Sequence, residues 1–201
     1  AADTLNGGDG DDTLYGEGDK DTLRGGAGND TLIGGAGQDR LLGGTGNDIF
    51  LYQSGSDSLV AEQDTIADFA QGQDRIDFSA LLGSTDLVFG GTTATANGVW
   101  YQQVSTNTNI YVDLTGDTTA DFRIQVIGLF AFTTADFLGV VPPGGGTPPS
   151  PTDDAAAVSE DGVLAANGNV LTNDSGAGLG VTAIRFGASG GAVGSALAGV
   201  Y

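Results

Sequence analysis

Residues 7–51 are five consecutive nonapeptides, and this repeat constrains the fold more than any other feature of the sequence. Divided into nines, the segment reads GGDGDDTLY, GEGDKDTLR, GGAGNDTLI, GGAGQDRLL and GGTGNDIFL. The sixth position of every repeat is an aspartate and the eighth is a large apolar residue: Asp12, Asp21, Asp30, Asp39 and Asp48, and Leu14, Leu23, Leu32, Leu41 and Phe50. A disordered glycine-rich linker does not need an apolar residue at a fixed period. The register therefore predicts a solenoid in which each repeat stacks on its neighbours.

The repeat also extends beyond this segment. Upstream, Asp3 and Leu5 continue both series. Downstream, Asp57 and Leu59 stand in the same register, which predicts that residues 52–60 are a degenerate further repeat. The N-terminal residues lack the basic start and apolar core of a signal peptide and read like the middle of a repeat, so we expect a piece of a longer protein.

The charge balance excludes several functional classes. The chain has 26 acidic and only 6 basic residues, a net charge of −20, so its surface repels nucleic acid and anionic membranes and attracts cations. It contains no histidine, which excludes Ser-His-Asp triads and histidine zinc sites, and no cysteine, which excludes disulfides. No apolar run reaches the ~18 residues of a membrane span. No pair of carboxylates is singled out as catalytic, so no enzymatic activity is assigned.

The composition of the repeat suits calcium. The first six residues of each nonapeptide are predicted to form a turn, and the last three a short strand whose leucine points inward. Glycine permits positive φ and close approach to an ion. Because Ca²⁺ takes about 6–8 oxygen ligands, one turn with its aspartate supplies half of a shell and two stacked turns supply a whole one. One leucine per repeat is a thin core against ~1–2 kcal/mol of backbone entropy per residue, so folding is expected to require the ion.

These repeats resemble the repeats-in-toxin (RTX) family over residues 1–60. In that family each ion lies between turns two repeats apart, bound by backbone carbonyls and by the aspartate of each turn. On one edge this implies an ion between Gly8, Gly10, Asp12 and Gly25, Ala27, Asp30, and another between Gly26, Gly28, Asp30 and Gly43, Thr45, Asp48. On the other edge it implies Glu17, Asp19, Asp21 facing Gly34, Ala36, Asp39, and Gly35, Gly37, Asp39 facing Tyr52, Ser54, Asp57. Asp3 extends the candidate ligands upstream, while Glu17 and Asp19 replace glycines and leave the geometry of their turn open.

Residues 48–81 resemble the C-terminal β-roll cap of serralysin-type secreted metalloproteases, and residues 116–128 fit the same cap. The resemblance implies further calcium-binding acids at Asp57, Asp64 and Asp74, for about three to five ions in all. The same cap closes the repeat modules of secreted alginate epimerases and other exported proteins. It therefore indicates an export route more than a reaction.

Beyond the repeats the sequence predicts short β-strands, with isolated helical turns near residues 79–82 and 134–138. All five prolines lie in residues 142–151, a linker by composition. Residues 152–201 resemble the opening of a VCBS or cadherin-like adhesin repeat. The predicted fold class is all-β: a parallel β-roll over 1–60, a β cap over 61–141, then the linker and a partial β segment.

The remaining acids and aromatic residues allow two interpretations each. Five acids are interpreted as turn or strand-edge residues, with metal binding as the alternative: Asp68, Asp77, Asp113, Asp117 and Asp121. Three aromatic residues are interpreted as strand core, with a sugar site as the alternative: Trp100, Tyr101 and Tyr111.

These features predict a calcium-dependent folding and secretion module. It would stay unfolded in the low-calcium cytosol, pass through a type I export channel, and fold outside the cell. The expected partners are calcium ions and the type I machinery, with no nucleic acid. Two alternatives stay open: a module that binds polysaccharide or a cell surface, and the C-terminal part of a serralysin-type metalloprotease.

Overall fold

The Asp-Thr-Leu triplets form short parallel strands, and successive repeats place them alternately in two sheets. The computed structural model describes residues 1–81 and 86–144. The first sheet receives β1 (Thr4–Asp9), β3 (Thr22–Ala27) and β5 (Arg40–Thr45), and the second receives β2 (Thr13–Tyr15), β4 (Thr31–Ile33) and β6 (Ile49–Leu51). One coil therefore takes two nonapeptides, as the register Leu5↔Leu23↔Leu41 shows.

A file of apolar side chains from each sheet fills the interior of the roll. Leu23, Leu32 and Phe50 have no exposed surface, whereas Tyr15 on the outer face is 57% exposed. The prediction that the eighth residue of each repeat points inward is thus confirmed. Ile33 departs from the outward pattern of its position and is buried.

The strands of the first sheet are longer than predicted. They have six residues instead of three, because pairing between coils continues into the first three residues of the following turn, where the central glycine has a positive φ. The carbonyl groups of those turn residues are therefore held in a regular parallel ladder, with Gly26 paired to Gly44 and Ala27 to Thr45.

The roll continues beyond residue 60, but not in the predicted register. β7 (Asp64–Ile66) stacks on β5 and β8 (Arg75–Asp77) stacks on β6, in each case after an insertion that lengthens the coil. Residues 52–60 are not a further repeat, so that prediction is wrong. Leu59 forms an isolated antiparallel bridge with Phe122 and is 42% exposed, because the inserted segment leaves the roll to meet the cap.

The cap extends the first sheet with an antiparallel meander of three strands and a fourth strand that pairs with it in parallel. It contains β9 (Leu87–Gly91), β10 (Gly98–Val104), β11 (Asn107–Val112) and β12 (Phe122–Ile127), and β12 pairs in parallel with β7. A 3₁₀ helix (Thr134–Asp136) precedes β13 (Phe137–Leu138) on the second sheet and β14 (Val140–Val141) on the first. Among the described residues, the first sheet thereby has nine strands, in the order β1-β3-β5-β7-β12-β11-β10-β9-β14, and the second has five, in the order β13-β8-β6-β4-β2.

Aromatic side chains close the end of the roll. Tyr52 is almost fully buried, with its ring centroid 5.1 Å from that of Phe122 and 5.9 Å from that of Phe78. Phe69 packs between Phe50 of the roll and Phe130 of the cap. The core is therefore continuous from the leucine file into the cap.

The predicted domain boundaries are not tested by this arrangement. Residues 1–146 form one compact unit, and β7 and β8 add to both sheets of the roll beyond the predicted boundary at residue 60. The predicted linker lies outside the described residues from 145 onward, and the adhesin-like segment over 152–201 lies outside them entirely. No helix within the described residues is long and apolar enough to cross a membrane.

Candidate metal centre

The repeat aspartates form a hydrogen-bonded ladder along each edge of the roll. After the first aspartate of each ladder, one oxygen of every carboxylate, Oδ1, accepts the backbone N–H of the aspartate one coil earlier, and the N–H of Asp12 is 2.8 Å from Oδ1 of Asp30. The same bond joins Asp21 to Asp39 at 2.7 Å. One ladder comprises Asp12, Asp30, Asp48 and Asp74, and the other comprises Asp3, Asp21, Asp39 and Asp64.

The second oxygen of six of these carboxylates has no partner within the part of the chain that the structure describes. The Oδ2 atom is buried and accepts no hydrogen bond in six ladder residues: Asp12, Asp21, Asp30, Asp39, Asp48 and Asp64. An ionised carboxylate that is buried without a counter-charge costs several kcal/mol. A row of such atoms therefore indicates sites for a cation.

Burial perturbs the acid chemistry of the ladder accordingly. It raises the pKa of Asp39 and of Asp48 to about 6. It raises the pKa of Asp64 to about 9, helped by the nearby charges of Asp39 and Asp57 and opposed by the hydrogen bond from the Asp39 N–H. The apo ladder thus resists holding all of its negative charge.

Backbone carbonyls lie beside the unpartnered carboxylate oxygens. A methyl group at Gly7 would lie 2.6 Å from Oδ2 of Asp12 and 2.7 Å from the carbonyl oxygen of Gly25, so these two oxygens flank one point. On the other edge, a methyl group at Gly16 would lie 2.9 Å from Oδ2 of Asp21 and 2.5 Å from the carbonyl oxygen of Gly34. These are turns two repeats apart, and their hard oxygen donors are the type that Ca²⁺ prefers.

The atypical second repeat keeps the turn geometry of the others. Glu17 and Asp19 have φ of 72° and 80°, the left-handed conformation that Gly26 and Gly28 adopt one repeat later, with φ of 119° and 133°. A residue with a Cβ loses roughly 1–2 kcal/mol in this conformation. Glu17 and Asp19 have a positive φ, as do the glycines at the same positions of the next repeat.

At the cap end the acids divide their roles. Asp64 takes the ladder position above Asp39, whereas Asp57 caps its own turn by accepting the N–H groups of Gln53 and Ser54 at 2.8 and 3.0 Å. Asp57 remains close enough to raise the pKa of Asp64. The hydroxyl of Tyr52 is buried there and has no hydrogen-bond partner among the described residues.

Asp74 closes the other ladder. Its Oδ1 accepts the N–H of Asp48 at 3.0 Å, and its Oδ2 accepts the N–H of Ala70 at 2.7 Å. Since both oxygens have hydrogen-bond partners, Asp74 differs from the six residues that have an unpartnered Oδ2.

The sequence does indicate that Asp64 belongs to the ladder, but a strict nine-residue period misses it. Asp64-Thr65-Ile66 repeats the triplet Asp21-Thr22-Leu23, and residues 74–76 (DRI) repeat residues 39–41 (DRL). Matching triplets rather than counting nonapeptides finds both ladder continuations.

The other acids serve as turn residues, as interpreted. Asp68 accepts the N–H groups of Gly43 and Gly44 at 2.9 and 3.1 Å. Asp77, Asp113, Asp117 and Asp121 accept backbone N–H groups of their own loops. Within residues 1–81 and 86–144 no three acids converge as a metal cluster, so a bound ion would depend on carbonyl ligands as well.

The three aromatic residues lie on opposite faces of the first sheet. Tyr101 stacks on Phe89 and packs against the main core. Trp100 and Tyr111 stack on each other across neighbouring strands, with ring centroids 5.7 Å apart, on the face directed away from that core. Trp100 is only 5% exposed, so its ring presents little surface to a ligand.

Comparison with known proteins agrees with this architecture. The family model described as Peptidase M10 serralysin C terminal matches residues 4–139. Serralysin G of Dickeya chrysanthemi is 44% identical over 75 residues, which cover 35% of this chain and 16% of that protein. Serralysin A of the same organism is 42% identical over 85 residues, which cover 40% and 18%.

Among solved structures, the AlgE6R3 subunit of the mannuronan C5-epimerase of Azotobacter vinelandii is 33% identical. The match covers 81% of this chain and 91% of that one, with a TM-score of 0.46. The chain spans less than a fifth of the length of the two serralysins.

Proposed function

Because the chain belongs to the serralysin C-terminal family, whose RTX-type β-rolls bind Ca²⁺, we propose that it is the calcium-triggered folding module of a protein exported by the type I route. The module itself carries out no reaction in this proposal. What calcium binding produces is the folded β-roll and cap outside the cell.

The observation that carries the proposal is the row of six buried, unpartnered Oδ2 atoms. Calcium supplies the missing positive charge at these atoms and is satisfied in turn by the carbonyl oxygens beside them. Since an unfolded chain has no such site, the free energy of ion binding becomes free energy of folding.

The proposed ligands are the turn carbonyls and ladder aspartates of repeats two apart. Asp12 with the carbonyl of Gly25, and Asp30 with the carbonyl of Gly43, represent one edge. Asp21 with the carbonyl of Gly34 represents the other. At the cap end, Asp39 and Asp64 complete the series, and the full count is about three to five ions.

The negative charges of the ladder carboxylates also account for export in this proposal. In a low-calcium cytosol the ladder carboxylates repel each other, and the leucine file alone is too thin to hold the coils together. The chain would stay unfolded, and so able to pass through an export channel, until it meets external calcium at ~10⁻³ M, a level suited to weak extracellular sites.

Far-UV circular dichroism of the full chain tests this. At pH 7.5 in chelator the spectrum should lack β-sheet signal, and millimolar calcium should restore it, while equimolar magnesium should not, since Mg²⁺ demands a stricter octahedral shell. Asp39→Ala should raise the calcium midpoint, whereas Asp86→Ala, at an exposed acid outside the ladders, should leave it unchanged. A β-rich spectrum in chelator at pH 7.5 would overturn the proposal.

A further inference from the structure

The two ladders end differently where they meet the cap. Asp74 is the last carboxylate of one ladder, and its Oδ2 accepts the N–H of Ala70 at 2.7 Å. Asp64 is the last carboxylate of the other, and its Oδ2 accepts no hydrogen bond from any residue that the structure describes. Since Asp64 has no exposed surface, bulk water does not supply the missing donor. The end of the Asp64 ladder therefore needs a partner that the Asp74 ladder finds in its own loop.

The segment between β6 and β7 provides the surroundings of Asp64. The hydroxyl of Ser58 accepts the N–H of Asp64 at 2.8 Å, the role that Oδ1 of the next aspartate has elsewhere in the ladder. The carboxylate of Asp57 is directed to its own turn. Two side chains of the segment keep a buried polar atom without a partner among the described residues: Oε1 of Gln63 and the hydroxyl of Tyr52. An amide oxygen only accepts, whereas the hydroxyl of Tyr52 can donate to a carboxylate.

Tyr52 lies beside Asp64 at the first residues of β12. Its ring packs edge-on against Phe122, with the ring centroids 5.1 Å apart, and only 1% of its surface is exposed. Ile124 follows Phe122 two residues later on the same face of the strand and pairs with Asp64. Burial raises the pKa of Tyr52 well above its ordinary value, and the charge of Asp64 raises it further. The hydroxyl of Tyr52 therefore keeps its proton and remains a hydrogen-bond donor.

Three oxygen atoms at this end of the ladder remain available to a cation and its surroundings. Asp64 is the charge that acts most strongly on Tyr52, yet neither the hydroxyl nor Oδ2 of Asp64 forms a hydrogen bond with a described residue. Oδ2 of Asp39, one coil earlier on the same ladder, is buried and unpartnered as well. The two carboxylates fit Ca²⁺, which takes oxygen ligands. A carboxylate that binds a metal is usually oriented by a hydrogen bond from a neighbouring group, and Tyr52 has the free donor.

We propose that Tyr52 is the positioning residue of the calcium site at the cap end. Its hydroxyl donates to Oδ2 of Asp64 and thereby holds the carboxylate toward the ion that Asp64 shares with Asp39. The inference rests on the calcium binding of the proposed function and adds an uncharged residue to it. Because the ring of Tyr52 also packs on Phe78 and Phe122, one side chain contacts both the last ion site and the aromatic core of the cap. Loss of the hydroxyl alone should therefore weaken the ion site while the core stays packed.

Terbium luminescence of the full chain tests whether an ion lies beside this ring. Tb³⁺ prefers oxygen ligands as Ca²⁺ does, and a nearby aromatic ring transfers excitation energy to it. Emission on tyrosine excitation should fall in Tyr52→Phe, since phenylalanine absorbs too weakly to replace the tyrosine, and the wild-type emission should be lost in excess calcium. Tyr101→Phe is the matched control, because Tyr101 stacks on Phe89 and lies on β10, three strands from β7, and it should retain the wild-type emission. Both variants keep an aromatic ring in place, so neither empties the core.

Calcium titration followed by the fluorescence of Trp100, the single tryptophan and a residue of the cap, tests the hydroxyl itself. Tyr52→Phe should raise the calcium midpoint of the cap roughly tenfold, the usual effect of removing a group that orients a metal ligand. Tyr101→Phe should not shift that midpoint. A double-variant cycle shows through which residue Tyr52 acts. Once Asp64→Asn has removed the charged ligand, Tyr52→Phe should cause no further shift.

Tyrosine-excited emission that is the same in Tyr52→Phe as in wild type, or an equal fall in Tyr101→Phe, would overturn the inference. Additive shifts of Tyr52→Phe and Asp64→Asn would also overturn it, since the hydroxyl would then act elsewhere. If Asp64→Asn does not fold, the terbium comparison decides the matter, because it needs only the two tyrosine variants. Far-UV circular dichroism keeps the two proposals apart. A wild-type chain that folds with calcium, but in which Tyr52→Phe has no effect, leaves the proposed function standing, whereas a β-rich wild-type spectrum in chelator at pH 7.5 would remove the basis of both.

Discussion

Substitution of Asp30 tests the shared-ligand arrangement most directly. In the proposed scheme Asp30 serves the ion on each side of it, whereas Asp12, at the start of the same ladder, serves one. The carboxylate of Asp30 also accepts the N–H of Asp12 at 2.8 Å, and its Oδ2 is buried without a partner. Asp30→Ala therefore removes a ladder hydrogen bond as well as a ligand.

The magnitude follows from these two losses. A hydrogen bond to a charged acceptor contributes about 2 kcal/mol. When this loss is spread over about three ions whose binding is coupled to folding, it raises the calcium midpoint about threefold. Loss of a ligand to two ions adds to that shift. Asp12→Ala removes a ligand from one ion and should shift the midpoint less.

Circular dichroism against calcium concentration measures both midpoints, and Asp30→Asn separates the two contributions. Asparagine retains an oxygen that can accept the Asp12 N–H but lacks the charge that holds the ion. Its midpoint should lie between those of wild type and Asp30→Ala. Equal shifts for Asp30→Ala and Asp12→Ala would refute the shared-ligand reasoning, and a wild-type midpoint for Asp30→Asn would refute metal binding at this carboxylate.

Three further outcomes are expected. The folded-state pKa values of about 9 for Asp64 and about 6 for Asp39 and Asp48 lie above the unfolded value of about 3.9. The metal-free roll should therefore gain stability as the pH falls, and lose stability as the pH rises through these values. The β-sheet signal in chelator should accordingly increase from pH 9 to pH 5, and a signal that does not change with pH would contradict this. Glu17→Gly removes a side chain from a residue with φ of 72° and should stabilise the calcium-loaded fold by about 1 kcal/mol in a denaturant titration, whereas destabilisation would show that the glutamate contributes more than its carbonyl. A fragment that ends at Tyr52 lacks the aromatic cap and should fail to fold, by circular dichroism, at calcium levels that fold a fragment retaining the cap; equal folding would show that the cap does not nucleate the roll.

The two-sheet roll was predictable because each structural requirement falls on a residue type at a fixed position. Leucine at the eighth position of each repeat must be buried, and Leu23 and Leu32 are. Aspartate at the sixth position must face a turn, and Asp30 and Asp39 stack there. The longer strands of the first sheet were not predictable, since glycines in a turn give no local signal of extended pairing.

The register of the last coils was predicted wrongly for a definite reason. The nine-residue period alone identifies a repeat wherever an aspartate at the right spacing is followed two residues later by an apolar residue. Asp57 and Leu59 meet that condition by their position in the sequence. The structure selects Asp64 instead, because Ile66 can enter the leucine file while Leu59 bridges to Phe122. An insertion keeps the stacking of side chains but destroys the period.

The pairing of the cap also lies beyond what a local pattern can show. The strands themselves were visible as short apolar runs, such as residues 122–127. That β12 adds in parallel to β7, with Val126 beside Ile66, depends on contacts between residues far apart in sequence.

The ladder explains why the repeat needs aspartate rather than asparagine at the sixth position. Oδ1 of Asp21, Asp30, Asp39 and Asp48 accepts a backbone N–H, a role that an asparagine oxygen can also fill. If this bond were the only requirement, neutral asparagine would avoid the repulsion and the burial cost that raise the pKa of Asp39, Asp48 and Asp64. The charge is retained at every sixth position of residues 7–51, and in each case Oδ2 is left buried and unpartnered. A cost repeated in every coil is compensated only by a ligand that binds every coil, and Ca²⁺ is the ion whose oxygen chemistry the adjacent carbonyls match.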